Sequence, residues 1–157
     1  MSCTFCLLCF DSYIVIDADA GFGIAARKKV TIQHLKQMKQ NGTPITMLTA
    51  YDYRTGKATE AYGIDITLVG DSLAQVCLGY DSTTRLTLDE MLHHTRAVSR
   101  GCQHPLLVAD MPFGTYHGST DETVRNAVRI IQEGRMEAVK LEGGLGGGVG
   151  DDSRDLA

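Results

Sequence analysis

The chain has 157 residues, room for one domain with a sizeable core, and 43% of them are hydrophobic, which argues against an intrinsically disordered chain. The formal net charge is −4 and no long run of Lys or Arg occurs, so nucleic acid and anionic membrane surfaces are poor partners. Five cysteines, an odd and unevenly spaced set without a basic-led signal peptide, point to a reducing compartment and not to secretion.

The first 28 residues show no regular pattern and are expected to form a poorly ordered segment. Cys3, Cys6 and Cys9 have ligand-like spacing, but a zinc site needs a fourth soft ligand and none is adjacent. "FCLLCF" is too short to cross a bilayer. Asp11, Asp17 and Asp19 count against a transit peptide, which is usually poor in acids.

After "AARKK" the pattern becomes regular. "TIQHLKQMKQNG" predicts a helix with Ile32, Leu35 and Met38 on one face and Gly42 as its stop. "PITMLTA" predicts a buried strand, "TGKATEAYG" a helix ending at Gly63, and "IDITLVG" a second strand. A loop through Gly79 and Asp81 follows. "TLDEMLHHTRAVSRG" opens with Thr87 and Glu90 in capping-box spacing and closes at Gly101. "PLLVAD" is a third strand. "STDETVRNAVRIIQEG" repeats the box with Ser119 and Glu122, predicts Val124, Ala127, Val128 and Ile131 as its buried stripe, and ends at Gly134. "AVKLEG" is a fourth strand. Strands alternating with helices mean a parallel sheet with right-handed crossovers. Two α/β architectures fit: an open doubly wound sheet, or part of a (β/α)8 barrel.

The strands end in charge. "TLVG" delivers Asp71 and Ser72, "LLVA" delivers Asp110, and "AVKLE" places Lys140 and Glu142 at alternate positions, hence on one face. Asp52 follows the first strand. In parallel α/β folds the carboxyl ends of the strands form the active-site rim. Carboxylates gathered there are desolvated unless something pairs them, and a hard cation does so. Asp71, Asp110 and Glu142 with Lys140 among them therefore suggest a Mg²⁺ site that also holds an anionic substrate. The bland alternative is that each acid caps the turn or helix that follows it.

"GDSLA" approaches the nucleophile elbow of serine hydrolases, with Ser72 after a strand and Asp110 and His117 following in the order Ser, Asp, His. The last glycine of that motif is Ala74 here, and "LAQVCLGYDST" is a poor helix. The glycine-rich "LGGGVGDDSRDLA" matches no G-x-G-x-x-G register and has no lysine of a P-loop. His93 and His94 lie mid-helix without an H-E-x-x-H pattern and read as surface or satisfied helix residues.

"TAYDY", "LVGDS", "GYDST", "ADMPFGTY" and "AVKLEGG" occur in this order with intervening helices. Together they closely resemble the ketopantoate (3-methyl-2-oxobutanoate) hydroxymethyltransferase family, from about Lys29 to Gly144. The resemblance implies a (β/α)8 TIM barrel of the phosphoenolpyruvate/pyruvate type, present here as about four β/α units with an N-terminal helix. The expected organisation is an unmatched segment over 1–28, a partial barrel over 29–144, and a flexible Gly/Asp-rich tail over 145–157. The family transfers a hydroxymethyl group from 5,10-methylenetetrahydrofolate to 3-methyl-2-oxobutanoate, giving 2-dehydropantoate for pantothenate and coenzyme A synthesis through a Mg²⁺-stabilised enolate.

Carried over position by position, the resemblance makes Asp71 and Asp110 ligands of Mg²⁺ and gives Glu142 the rest of the metal shell, partly through water. It makes Asp71, Ser72, Asp110 and Lys140 the substrate-binding set, with Ser72 and Lys140 on the carboxylate. It also implies a homo-oligomer, commonly a decamer, that is mitochondrial in eukaryotes and cytoplasmic in bacteria. Ala74 and Gln75 stand where Gly-Met is usual, and "EGRMEAVK" where "EGGADAVK" is commoner. The family's general base is a glutamate beyond the fourth strand, so no residue of this chain takes that role. The alternatives are a catalytically incomplete fragment or isoform that assembles with full-length subunits, and a serine hydrolase built on Ser72.

Overall fold

The computed structural model describes residues 27–142. The expectations for Cys3, Cys6 and Cys9 and for the glycine-rich tail lie outside these residues. In chain order the elements are α1 (Ile32–Gln40), β1 (Met47–Thr49), α2 (Tyr53–Ala61), β2 (Ile66–Val69), a short α3 (Leu73–Val76), a 3₁₀ turn at Thr83–Arg85, α4 (Leu88–Gly101), β3 (Leu106–Asp110), α5 (Thr120–Gln132) and β4 (Ala138–Lys140).

All three strand pairings are parallel, and the sheet order is β1-β2-β3-β4. A doubly wound sheet reverses its order at a switch point. This one advances in one direction, as consecutive units of a barrel do. The sequence left these two architectures open, and the strand order decides between them.

The helices start where their caps predict. Thr87 and Glu90 complete a capping box on α4, and Asp52 and Thr55 complete one on α2. At α5 Ser119 accepts from the Glu122 N–H at 3.2 Å, the first half of the predicted box. The core lies between the helices and one face of the sheet. Val69, Leu107 and Ala109 pack there with Met91, Leu92, Val98 and Ile130, and Val139 packs against them. By alternation, Asp110 and Lys140 stand on the opposite sheet face.

Three expectations change. α5 buries Ile130 and half-buries Ala127, while Val124, Val128 and Ile131 of the predicted stripe are exposed. The apolar residues of α5 form one broad arc, and its packing on α4 buries only the Ala127–Ile130 edge of that arc. There Gly134 is so close that an added Cβ would lie 2.7 Å from Thr95 Oγ1. β1 is an edge strand with Ile45 and Met47 exposed, since among the described residues it has a neighbour on one side only. α1 buries no residue; Ile32 is exposed on its predicted inner face. Leu141, beyond β4, is exposed as well, and open edges over residues 45–49 and at Leu141 are what four barrel units without closing neighbours are expected to leave.

One carboxylate ties the bottom of this assembly. Glu60 at the end of α2 accepts the N–H groups of Gln103 at 2.7 Å and His104 at 3.0 Å through Oε2, and its Oε1 meets the His104 ring. Burial alone would raise the Glu60 pKa, but these donors outweigh it and hold the carboxyl below its ordinary 4.5. A lowered folded-state pKa stabilises the fold above the ordinary value and is lost as pH falls through the folded value. Urea unfolding is therefore expected to show stability falling as pH drops below about 4.5, with a shallower fall in Glu60→Gln.

Candidate active site

The register of β3 and β4 assembles the site. Asp110 pairs with Lys140 across the sheet, and the ladder continues one step with Met111 N–H donating to Lys140 O at 2.9 Å. Both side chains thus emerge together at the carboxyl ends of the strands. Lys140 Nζ lies 2.7 Å from Asp110 Oδ1 and donates to Glu142 Oε1 at 2.7 Å. Asp110 is buried, with 5% of its side chain exposed, whereas Lys140 and Glu142 are 41% and 62% exposed.

β2 ends beside this pair. The Asp71 N–H donates to Asp110 Oδ2 at 3.1 Å. A Cβ on Gly70 would crowd Ser72 Oγ at 3.0 Å but would stand at ordinary contact distance, 3.6 Å, from Asp110 Oδ2. Asp110 Oδ1 has no hydrogen-bond partner among the described residues, because Lys140 approaches it at ionic distance but off the hydrogen-bonding angle. Burial pushes the Asp110 carboxyl above the usual carboxylate range, and the Asp71 charge adds to this; Lys140 and the Asp71 N–H pull the other way without cancelling it. For Lys140, burial opposes the charge, yet Asp110 and Glu142 outweigh burial and hold its pKa above that of an ordinary lysine.

The mouth also carries two tyrosines to which the sequence reading gave no role. Tyr51, two residues beyond β1, places its Oη 2.8 Å from Ser72 Oγ. Tyr116, on the β3–α5 loop, donates to the Glu142 carbonyl at 2.9 Å. Burial, with the charges of Glu142 and Asp71, raises the Tyr116 pKa, which places this phenol beside the same acids. Their signal in the sequence was their place just past strand ends, inside "TAYDY" and "FGTY".

Asp71, Ser72, Asp110, Lys140 and Glu142 thus meet at one rim. The three acids do not converge on one point, however: among the described residues no three His, Cys, Asp or Glu side chains form a metal cage. The Lys140 ammonium stands between Asp110 and Glu142 and keeps them apart. Asp52 leaves the rim altogether, capping α2 by accepting the Thr55 N–H at 2.7 Å. The hydrolase triad is also not formed. Ser72 pairs with Tyr51 and Asp110 with Lys140, while His117 Nδ1 accepts the Gly114 N–H at 3.2 Å and its ring stacks on Tyr116. His94 is satisfied, as expected, by donating from Nδ1 to the Tyr51 carbonyl at 2.6 Å.

A concavity of about 230 Å³ lies at the other end of the strands, lined by Arg27, Lys28, His34, Asp65 and His104 among others. It contains none of the rim groups.

A family model for ketopantoate hydroxymethyltransferase matches residues 29–149. The chain belongs to this family. A 3-methyl-2-oxobutanoate hydroxymethyltransferase of Koribacter versatilis is 57% identical over 118 residues, which are 75% of this chain and 40% of the relative. The Arabidopsis thaliana protein named 3-methyl-2-oxobutanoate hydroxymethyltransferase 1, mitochondrial, is 52% identical over 117 residues, 74% of this chain and 34% of that one. The chain thus spans about two fifths of the length of the curated relatives it matches. Among solved structures it is similar to 2,3-dimethylmalate lyase, a PEP mutase/isocitrate lyase superfamily member, with TM-score 0.55 and 18% identity over 72% of this chain and 40% of that one. Oxaloacetate acetylhydrolase gives TM-score 0.54 and 19% identity over 69% and 37%. At these identities the likeness is one of fold, and it agrees with four units of a TIM-barrel-like sheet.

In this ketopantoate hydroxymethyltransferase rim the donors suit a hard cation. They are carboxylate oxygens, and one of them, Asp110 Oδ1, is buried without a hydrogen bond. Mg²⁺ is commonly held by one or two carboxylates, with water and substrate completing its shell. Asp110 and Asp71 can supply those carboxylates, and Glu142 lies one lysine away, within reach through water.

Proposed function

We infer that this chain forms the cation- and 2-oxo acid-binding part of a ketopantoate hydroxymethyltransferase site. The reaction is transfer of a hydroxymethyl group from 5,10-methylenetetrahydrofolate to 3-methyl-2-oxobutanoate, giving 2-dehydropantoate for pantothenate and coenzyme A synthesis. The observation that carries this reading is Asp110: a buried carboxylate at a strand end, with one oxygen held only by the Lys140 ammonium and the N–H of a second acid on the other.

Asp71 and Asp110 would hold Mg²⁺, with Glu142 contributing through water. When bound, the cation supplies positive charge that acidifies the C–H next to the substrate carbonyl. Lys140 meets the substrate carboxylate as its counter-charge, exchanging its present contact with Glu142 for the ligand. Ser72 donates a hydroxyl to the same carboxylate. Asp110 keeps Lys140 charged and aimed into the mouth. As a member of its family the chain assembles as a homo-oligomer, and in a eukaryote its compartment is the mitochondrion.

A second reading, a catalytically incomplete form that assembles with full-length subunits, is favoured by one observation. Apolar side chains are exposed at both rims of the sheet, Ile45 and Met47 at β1 and Leu141 at β4. One assay separates the two. The purified 157-residue chain is given Mg²⁺, 3-methyl-2-oxobutanoate and methylenetetrahydrofolate, and 2-dehydropantoate is measured. Turnover supports the first reading. Binding of Mg²⁺ and the 2-oxo acid without turnover fits both the binding role of the first reading and the incompleteness of the second, so turnover is the outcome that excludes the second. Absence of both binding and turnover overturns the two together.

A further inference from the structure

Ser72 is the N-cap of α3, yet its side chain makes no capping bond to that helix. The N–H groups of Ala74 and Gln75 that it would cap are already bonded to the carbonyls of Asp71 and Ser72, both at 3.0 Å, so the hydroxyl is left for another partner. Here the hydroxyl turns away to Tyr51 Oη at 2.8 Å. Tyr51 is fixed at both ends of its own peptide: its N–H donates to Thr55 Oγ1 at 3.0 Å and its carbonyl accepts from His94 Nδ1 at 2.6 Å. Its ring packs against the core. A residue held this firmly at a strand end, with its hydroxyl aimed at a neighbour's, is a built feature of the rim.

Two hydroxyls that share one hydrogen bond use only one of their two protons between them. The other O–H has no acceptor among the described residues. Ser72 follows Asp71, whose N–H donates to the buried Asp110 Oδ2 at 3.1 Å, so this donor belongs to the same rim. A spare donor next to an ammonium and a cation-competent acid matches a ligand that brings its own acceptor oxygens.

We propose that Tyr51 and Ser72 act as one paired-hydroxyl donor for the carboxylate of the bound 2-oxo acid, with Tyr51 orienting the Ser72 hydroxyl. The inference rests on the reading of the rim as a 2-oxo acid site. Tyr51 is a positioning residue. Its hydroxyl fixes the direction in which Ser72 Oγ points.

The test is calorimetric titration of 3-methyl-2-oxobutanoate into the 157-residue chain in the presence of Mg²⁺, comparing Tyr51→Phe, Ser72→Ala and the double variant. Each single variant is expected to weaken binding about tenfold, the scale of one hydrogen bond to a charged group. The double variant is expected to be about as weak as either single one, because the two hydroxyls work as a unit. Melting temperatures within a few degrees of the parent would show that the folds are intact. A parent-like affinity in Tyr51→Phe, or losses that multiply in the double variant, would overturn the pairing alone. Failure of the unsubstituted chain to bind the 2-oxo acid would overturn the reading of the rim and the pairing with it.

Discussion

Gly101→Val is expected to leave the chain largely unfolded, and Gly101→Ala to lower its stability by about 3 kcal/mol, the upper range for overpacking a core. The reason is where α4 meets α2. A Cβ on Gly101 would lie 2.7 Å from Tyr53 O and 2.9 Å from Lys57 N, both backbone atoms of α2. Backbone atoms inside a helix cannot rotate away as the end of a side chain can. Gly56 faces the same contact from the other side, with its Cβ position 2.9 Å from Val98 O. Both helices would have to part, and with them the buried bond from Cys102 Sγ to the Gly56 carbonyl at 3.2 Å. Natural domains hold about 5–15 kcal/mol in total, so a loss of this size is a large share. Urea unfolding followed by circular dichroism measures it. A midpoint for Gly101→Ala equal to the parent's would show that the two helices are not locked as described.

Asp110→Asn is expected to cost at least about tenfold in Mg²⁺ affinity, since even an outer-shell partner of a metal ligand is worth about 10–100-fold. The cation-free fold should lose little. The substituted side chain has the same shape, and its amide oxygen can still accept the Asp71 N–H. Burial raises the Asp110 pKa, so folding disfavours the charged form at neutral pH, and a neutral isostere removes that cost. Lys140 keeps its bond to Glu142. The measurable pattern is a melting temperature in chelator that is unchanged or higher, together with weakened Mg²⁺ binding, and turnover, where present, lost with it. Stability traded for function is common at such sites. A variant with parent-like Mg²⁺ affinity would remove Asp110 from the metal site.

Several of these features were legible in the sequence because they are local. The capping box of α4 needs only Thr87 and Glu90 three apart, and the partnership of Lys140 with Glu142 needs only strand alternation. That strand ends carry the chemistry is likewise a property of parallel α/β sheets. What stayed hidden depends on neighbours. Gly101 reads as a helix stop, but its φ is not positive, unlike that of Gly42 and Gly63; its role is the close approach of α2. The residue that turns left-handed after α5 is Arg135, not Gly134. α5 offers one broad apolar arc, and only its packing on α4 decides which edge of it is buried. The placing of Lys140 between two acids requires the register of β3 against β4, which no single stretch encodes. Tyr51 was in view throughout, but its bond to Ser72 joins residues 21 apart in the chain.

Titration of Mg²⁺ into the 157-residue chain, with and without 3-methyl-2-oxobutanoate, reaches the central claim most directly. If Asp110, Asp71 and Lys140 form one cation and 2-oxo acid site, each ligand must tighten the other by the same factor. The expected result is Mg²⁺ binding that strengthens when the 2-oxo acid is present and is largely lost in Asp110→Asn. Mg²⁺ binding that is absent, or indifferent to both the 2-oxo acid and Asp110, would contradict it.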